Sequence, residues 1–112
     1  MGQPEDPVLL LDMLDQVRRA VQAVSGRNRA DLDTDAVLAA ALERFIEVLG
    51  EAAGKVSEAT RSEALAIPWR GIIGMRNRLV HGYASVDHDI VWDVVTHDFP
   101  ALLTELEHLL KA

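Results

Sequence analysis

Arg76, Asn77, His81 and Tyr83 are the residues of this chain whose types and spacing suit a common chemistry. They lie in the stretch Trp69-Arg70-Gly71-Ile72-Ile73-Gly74-Met75-Arg76-Asn77-Arg78-Leu79-Val80-His81-Gly82-Tyr83. On a helix, Asn77 and His81 are four apart and share a face. Arg76 stands about one hundred degrees round from Asn77, at the edge of that face, where a long side chain still reaches across. Tyr83 follows Gly82, just past the expected helix end. These groups suit cleavage of RNA without a metal. A 2′-hydroxyl attacks the neighbouring phosphate once a base takes its proton. A histidine that titrates near neutrality serves as that base, or as the acid for the leaving oxygen. An arginine fork stabilises the charge growing on the phosphate. Asn77 orients the histidine or holds a phosphate oxygen. A second histidine helps, and a two-fold dimer of this helix supplies one. The bland alternative is a helix-end histidine bonding terminal carbonyls beside a surface arginine.

The charge distribution sharpens this reading. The net charge is −7, which argues against a protein that coats nucleic acid through bulk charge. Yet Ala64 to Val86 holds no acid and three arginines, Arg70, Arg76 and Arg78. A basic patch on an acidic body points to a defined anion site, with Arg70 and Arg78 as further RNA contacts. The alternative is a buried segment with a few solvated arginines.

The elements that must position these residues are helical. At 112 residues the chain fits one domain, spanning 1–112. A first helix is expected from about Pro7 to Ser25, with Leu10, Leu14, Val17, Val21 and Val24 on one face and Gly26 at its C-terminus. Arg27 to Asp31 reads as a loop. A second helix runs from about Asp33 to Gly54, with Asp33, Thr34 and Asp35 as caps. Its apolar stripe is Val37, Ala40, Ala41, Phe45, Val48, Leu49 and Ala52, and Gly50 and Gly54 weaken and end it. A short helix or turn covers Glu58 to Ala66, and Pro68 opens a helix to His81. A further helix is expected over about Asp89 to Thr96, with Asp87-His88-Asp89 offering caps. A last one is capped by Asp98, with Pro100 near its first position. No strand alternation is visible. The fold class is all-α: an antiparallel bundle of about four to six helices, homodimeric.

The remaining candidates carry less. His88, His97 and His108 lack zinc-ligand spacing and read as solvated. Asp31, Asp33 and Asp35 lack the glycine and final glutamate of a calcium loop and read as caps. Gly71 and Gly74 lack the Lys-Ser/Thr of a phosphate loop and suit close helix approach at a dimer seam. Arg27 and Arg29 either extend an RNA surface or sit in a solvated loop. Trp69 and Trp92 are core or interface anchors. No cofactor and no metal is implied. With no cysteine, no basic N-terminal start and no long apolar run, the expected setting is the cytoplasm, with no membrane contact.

Arg76-Asn77-Arg78-Leu79-Val80-His81-Gly82-Tyr83 resembles the signature of HepT-like HEPN proteins: Arg, a polar residue, three residues, His, any residue, Tyr. Ile72 to Met75, Asp87 to Trp92 and Asp98 to Leu103 match as well. The first two helices match in general character only. The resemblance implies a helical homodimer with two motifs in one cleft. Arg76 and His81 become the ribonuclease pair and Asn77 the polar neighbour. Tyr83 becomes the tyrosine that a partner antitoxin, an MntA-type minimal nucleotidyltransferase, modifies with AMP. The function implied is the toxin of a toxin–antitoxin pair, cutting tRNA or mRNA. A non-catalytic module that binds nucleotide or RNA beside the nucleotidyltransferase, and a purely structural dimerisation domain, are the alternatives.

Overall fold

The computed structural model describes residues 2–81 and 86–111, with the side chains of Val80 and His81 left aside. The described residues are helical throughout the regular elements and include no strand. The all-α expectation holds. Helix α1 spans Asp6–Ala23, α2 Asp31–Thr34, α3 Ala36–Lys55, α4 Glu58–Glu63 and α5 Trp69–His81. Helix α6 covers His88–Asp93, a π-helical turn covers Val94–Asp98, and α7 covers Phe99–Lys111.

Local chemistry sets most of the boundaries. Pro7 sits in the first turn of α1, where its missing N–H is not needed. Gly26 closes the far end at φ 73°, a left-handed conformation that glycine adopts without steric cost. Asp35 caps α3 by accepting from the Leu38 N–H at 3.0 Å. The three aspartates expected to cap together therefore divide. Asp31 and Asp33 belong to the short helix α2, and α3 starts later than Asp33. Ser57 caps α4 and Asp87 caps α6, the latter accepting from Asp89 N at 2.8 Å.

Two further expectations are corrected. Asp98 is not a cap, because the chain stays helical from α6 into α7. Pro100 lacks an N–H and its ring would crowd the carbonyl four residues back in a regular helix. The wider π turn absorbs it: Phe99 N–H reaches back to Val94 O, and the Thr96 hydroxyl donates to Trp92 O at 2.7 Å. The second correction concerns the face of α3. Leu49 and Ala52 are buried as expected, but Leu38, Leu42, Ile46 and Ala53 also turn inward, whereas Val37 is 79% exposed and Ala40 is exposed. The buried stripe is about one residue, or about 100°, round from the expected one. Helix α3 is apolar on several sides near its start, so its spacing supports more than one stripe. Packing between two neighbours selects one of them.

Those neighbours define the bundle. Helix α3 lies between α1 and α5, and α7 packs on α1. The start of α1 meets the end of α3, where Asp6 bonds Ser57, so these helices run antiparallel. The α6–α7 run starts beside α2 and ends beside the segment after α4, which places it antiparallel to α1. Met13, Val17, Leu42, Ile46, Leu49, Val91, Val95 and Leu106 are fully buried between the layers. Each such side chain contributes about 1.5–3 kcal/mol through burial. Trp69 anchors the start of α5: its indole N–H donates to Ala64 O at 3.1 Å, and the Arg61 guanidinium lies over its ring.

Asp6 is the one buried charge among the described residues. Its carboxylate accepts from the Ser57 hydroxyl at 2.6 Å, the Thr60 hydroxyl at 2.6 Å, Ser57 N at 3.1 Å and Gln3 N at 2.9 Å. The hydroxyl bond from Ser57, then that from Thr60, hold its pKa far below the usual carboxylate range against the opposing effect of burial. The unfolded chain therefore binds a proton at Asp6 before the folded one does. The stability from this group is complete above the unfolded value of about 4 and is lost as pH falls below it. Unfolding curves recorded from pH 7 down to pH 3 should show this loss. Asp6→Asn should lower stability at pH 7 and flatten the acid limb. An unchanged acid limb would remove Asp6 from that role.

Candidate active site on the fifth helix

Helix α5 presents two different sides. Trp69, Ile72 and Met75 are buried and Leu79 is half-buried, facing the core. Arg70, Asn77 and Arg78 are exposed, with Gly74 half-buried between them. Arg70 and Asn77 are seven apart, so they lie almost in line along the helix. His81 is four residues beyond Asn77 at the last position of α5, continuing that row. Tyr83 lies outside the described residues.

Arg76 stands apart from this row. Its position on α5 faces α3, and its stem lies over the backbone of α3 at Gly50. The guanidinium then turns outward, and Nη1 donates to Asn77 Oδ1 at 3.3 Å. The Nε atom is buried and meets no hydrogen-bond acceptor among the described residues. The structure thus brings Arg76 and Asn77 together, as their spacing suggested, though by a bend around the helix rather than from a shared face. Arg70 and Arg78 have no acidic partner among the described residues. Two exposed cations and a third guanidinium held partly out of solvent give this helix a local field able to hold a phosphate.

Arg78 points to a second feature. It borders a groove of about 580 Å³ between α5 and the α6–α7 run, floored by Ile72, Met75, Val94 and Phe99. Asp98 and Glu105 stand on the opposite wall. Arg78 therefore sits on a different flank of α5 from Arg70 and Asn77.

Arg27 and Arg29 do not extend this surface. Arg27 pairs with Asp35 at 2.7 Å and Asp31 at 3.2 Å. Arg29 pairs with Asp89 at 2.6 Å and Asp33 at 3.0 Å. His88, expected to be solvated, is half-buried and bonds Asp33 through Nδ1 at 2.9 Å. The bonds from Arg27 to Asp35 and from Arg29 to Asp89 raise the two guanidinium pKa values. The Asn28 amide lowers that of Asp31, His88 that of Asp33, and Arg27 that of Asp35. This network ties α2 to the first turn of α6. His97 pairs with Asp93 four residues back and lies 3.2 Å from the Thr96 hydroxyl. No group of three or more His, Cys, Asp or Glu poised to hold a metal occurs among the described residues.

Within the chain, a different helical glycine is crowded. A Cβ at Gly71 or Gly74 would meet nothing within 4 Å, so neither permits a close approach within this chain. Gly50, expected to help end its helix, is buried in mid-helix with α5 pressed against it. Sequence reasoning missed its role. The available signal was its place on the Leu42–Ile46–Leu49–Ala53 face, unlike exposed Gly54.

Residues 13–109 match the family described as ribonuclease HepT-like. The chain belongs to the HepT-like ribonuclease family. A protein of Thermococcus cleftensis, provisionally named ribonuclease HepT, is 30% identical over 104 residues, covering 89% of this chain and 94% of that one. A provisionally named RNase of Caldanaerobacter subterraneus subsp. tengcongensis is 29% identical over 99 residues, or 88% of each chain. A similarly named RNase of Methanocaldococcus jannaschii is 26% identical over 111 residues, covering 99% of this chain and 92% of that one. No solved structure matches. The HepT-like family and these names fit a ribonuclease-type HEPN protein built on the observed helical bundle. No helix among the described residues is long and apolar enough to cross a membrane.

Gly74 offers a direct check on the open face. Its would-be Cβ has free space, so Gly74→Ala should fold and gain up to about 1 kcal/mol of helix stability. Thermal melts measure this. If Gly74 seats a second copy of α5, the same substitution should weaken self-association in sedimentation while the fold stays intact.

Proposed function

We propose that this protein is the toxin of a bacterial toxin–antitoxin pair, a metal-independent endoribonuclease acting on tRNA or mRNA in the cytoplasm. The observation that supports it most is the Arg76 guanidinium turned onto Asn77 at 3.3 Å, in the acid-free stretch one turn before His81. In this reading, His81 takes the proton of an RNA 2′-hydroxyl, whose oxygen then attacks the adjacent phosphorus. The P–O5′ bond breaks, and the departing 5′-oxygen takes a proton from a second histidine. The products are a 2′,3′-cyclic phosphate and a 5′-hydroxyl. Arg76 stabilises the charge on the phosphorane oxygens, and Asn77 holds the guanidinium or a phosphate oxygen. Arg70 and Arg78 contact flanking phosphates. A homodimer that sets two α5 helices across one cleft supplies the second His81.

Control of the toxin would act at Tyr83. The phenol attacks the α-phosphate of ATP on an MntA-type minimal nucleotidyltransferase, loses its proton and releases pyrophosphate. The attached AMP brings bulk and negative charge beside the cleft, which repels RNA.

Purified, unmodified protein should cleave total tRNA in EDTA, and His81→Ala and Arg76→Ala should each lose at least about a hundredfold in rate. Cleavage that survives both substitutions would move the site elsewhere. Absence of cleavage by wild type, with an unmodified Tyr83 confirmed by mass, would favour a binding module that partners the nucleotidyltransferase.

Tyr83→Phe should keep the ribonuclease activity and lose the added mass on co-expression with the nucleotidyltransferase. It should also remain toxic in its presence. An unchanged mass increment would place the modification on another residue.

A further inference from the structure

We infer that Gly50 of α3 is a positioning residue for Arg76. This rests on the reading of Arg76 as the phosphate-facing arginine of the ribonuclease site. A Cβ at Gly50 would overlap Arg76 Cβ, and it would stand 2.7 Å from Arg76 Cγ and 3.2 Å from the Ile72 carbonyl oxygen. The first two atoms are the root of a side chain and the third is backbone, so none yields as a flexible tip would. Only glycine lets α5 settle this close to α3.

The closeness matters because little else fixes Arg76. Among the described residues, its Nε is buried with no acceptor and its guanidinium has one bond, a long one, to Asn77. Contact with the bare backbone at Gly50 therefore carries the stem, and the stem sets where the guanidinium emerges. Arg76 stands on the α3-facing side of its helix, about one hundred degrees from Asn77. It reaches the open face only by bending around from below. A methyl group at position 50 would lift the stem, turn the guanidinium off Asn77 and leave Asn77 without its cationic partner. Mid-helix glycine is unfavourable by itself, and its presence here is accounted for by this approach. Gly54, one turn later, faces open space and provides the matched control.

The test compares Gly50→Ala with Gly54→Ala in the full chain, with circular dichroism to confirm the fold. Two readouts are taken. The first is steady-state RNA cleavage: Gly50→Ala should lower kcat about 10²-fold with KM changed less than about threefold, the expected cost of a displacement near 1 Å. The second does not depend on activity. The Arg76 Nε–H, assigned in NMR spectra by its loss in Arg76→Lys, should exchange slowly in wild type and Gly54→Ala and rapidly in Gly50→Ala. Retained kcat, or a slow Nε–H in Gly50→Ala, overturns the inference. Failure of Gly50→Ala to fold while Gly54→Ala folds also overturns it, since Gly50 would then serve the fold as a whole. If wild type cleaves no RNA, the ribonuclease reading fails, and the exchange measurement alone decides whether Gly50 positions Arg76.

Discussion

The approach of α5 to α3 at Gly50 is the constraint on which the rest of this structure depends. A glycine in the middle of a helix that is otherwise rich in Ala, Leu and Glu works against local propensity. It is retained on the buried face because α5 lies against it, with the root of Arg76 filling the space a side chain would occupy. That packing selects which of the apolar faces of α3 turns inward. It also sets α5 so that Ile72 and Met75 enter the core while Arg70 and Asn77 remain in solvent. The same contact makes Arg76 an arginine with a dry stem and an accessible end, an arrangement suited to a guanidinium that must stay put while it meets an anion.

Polar pins complete the frame around that packing. Asp6 gathers Ser57, Thr60 and Gln3 and locks the start of α1 to the corner after α3. Arg29 and His88 join α2 to the first turn of α6 through Asp33 and Asp89. Exposed ion pairs are worth little individually, so the apolar core holds the bundle and these pairs fix the register of its ends. The buried Asp6 differs from them, since its hydroxyl and amide partners satisfy a charge that would otherwise be costly. Arg27 and Arg29 are used up in pairing, whereas Arg70 and Arg78 on α5 have no acidic partner among the described residues.

Much of this was legible in the residues. Gly26, Asp35 and Asp87 act through local backbone rules, and each does what its sequence context implies. The extent of α5, closed off before it by Pro68, follows from the same kind of rule. The site motif is legible for a related reason: Asn77 and His81 fall four apart on one helix, and helix geometry fixes that relation without help from other elements. The resemblance to HepT-like HEPN proteins, carried by the same residues, agrees with the family match over residues 13–109.

Other features were decided by tertiary contacts. The inward face of α3 shifted because its apolar residues support more than one stripe, and only the neighbouring helices distinguish them. Asp98 looks like a cap in sequence, yet the wide turn that accommodates Pro100 lets the helix continue. Within the chain, the helical glycine pressed by a neighbouring helix is Gly50, while Gly71 and Gly74 stand open. Arg27 and Arg29 looked free until α6 and the α2 acids came beside them. The sequence by itself determined the long helices, most of their caps and the spacing of the candidate site, because those obey interactions within a few residues. The tertiary structure alone decided which faces meet, which glycine is crowded and where Arg76 points, because those depend on residues far apart in the chain competing for the same space.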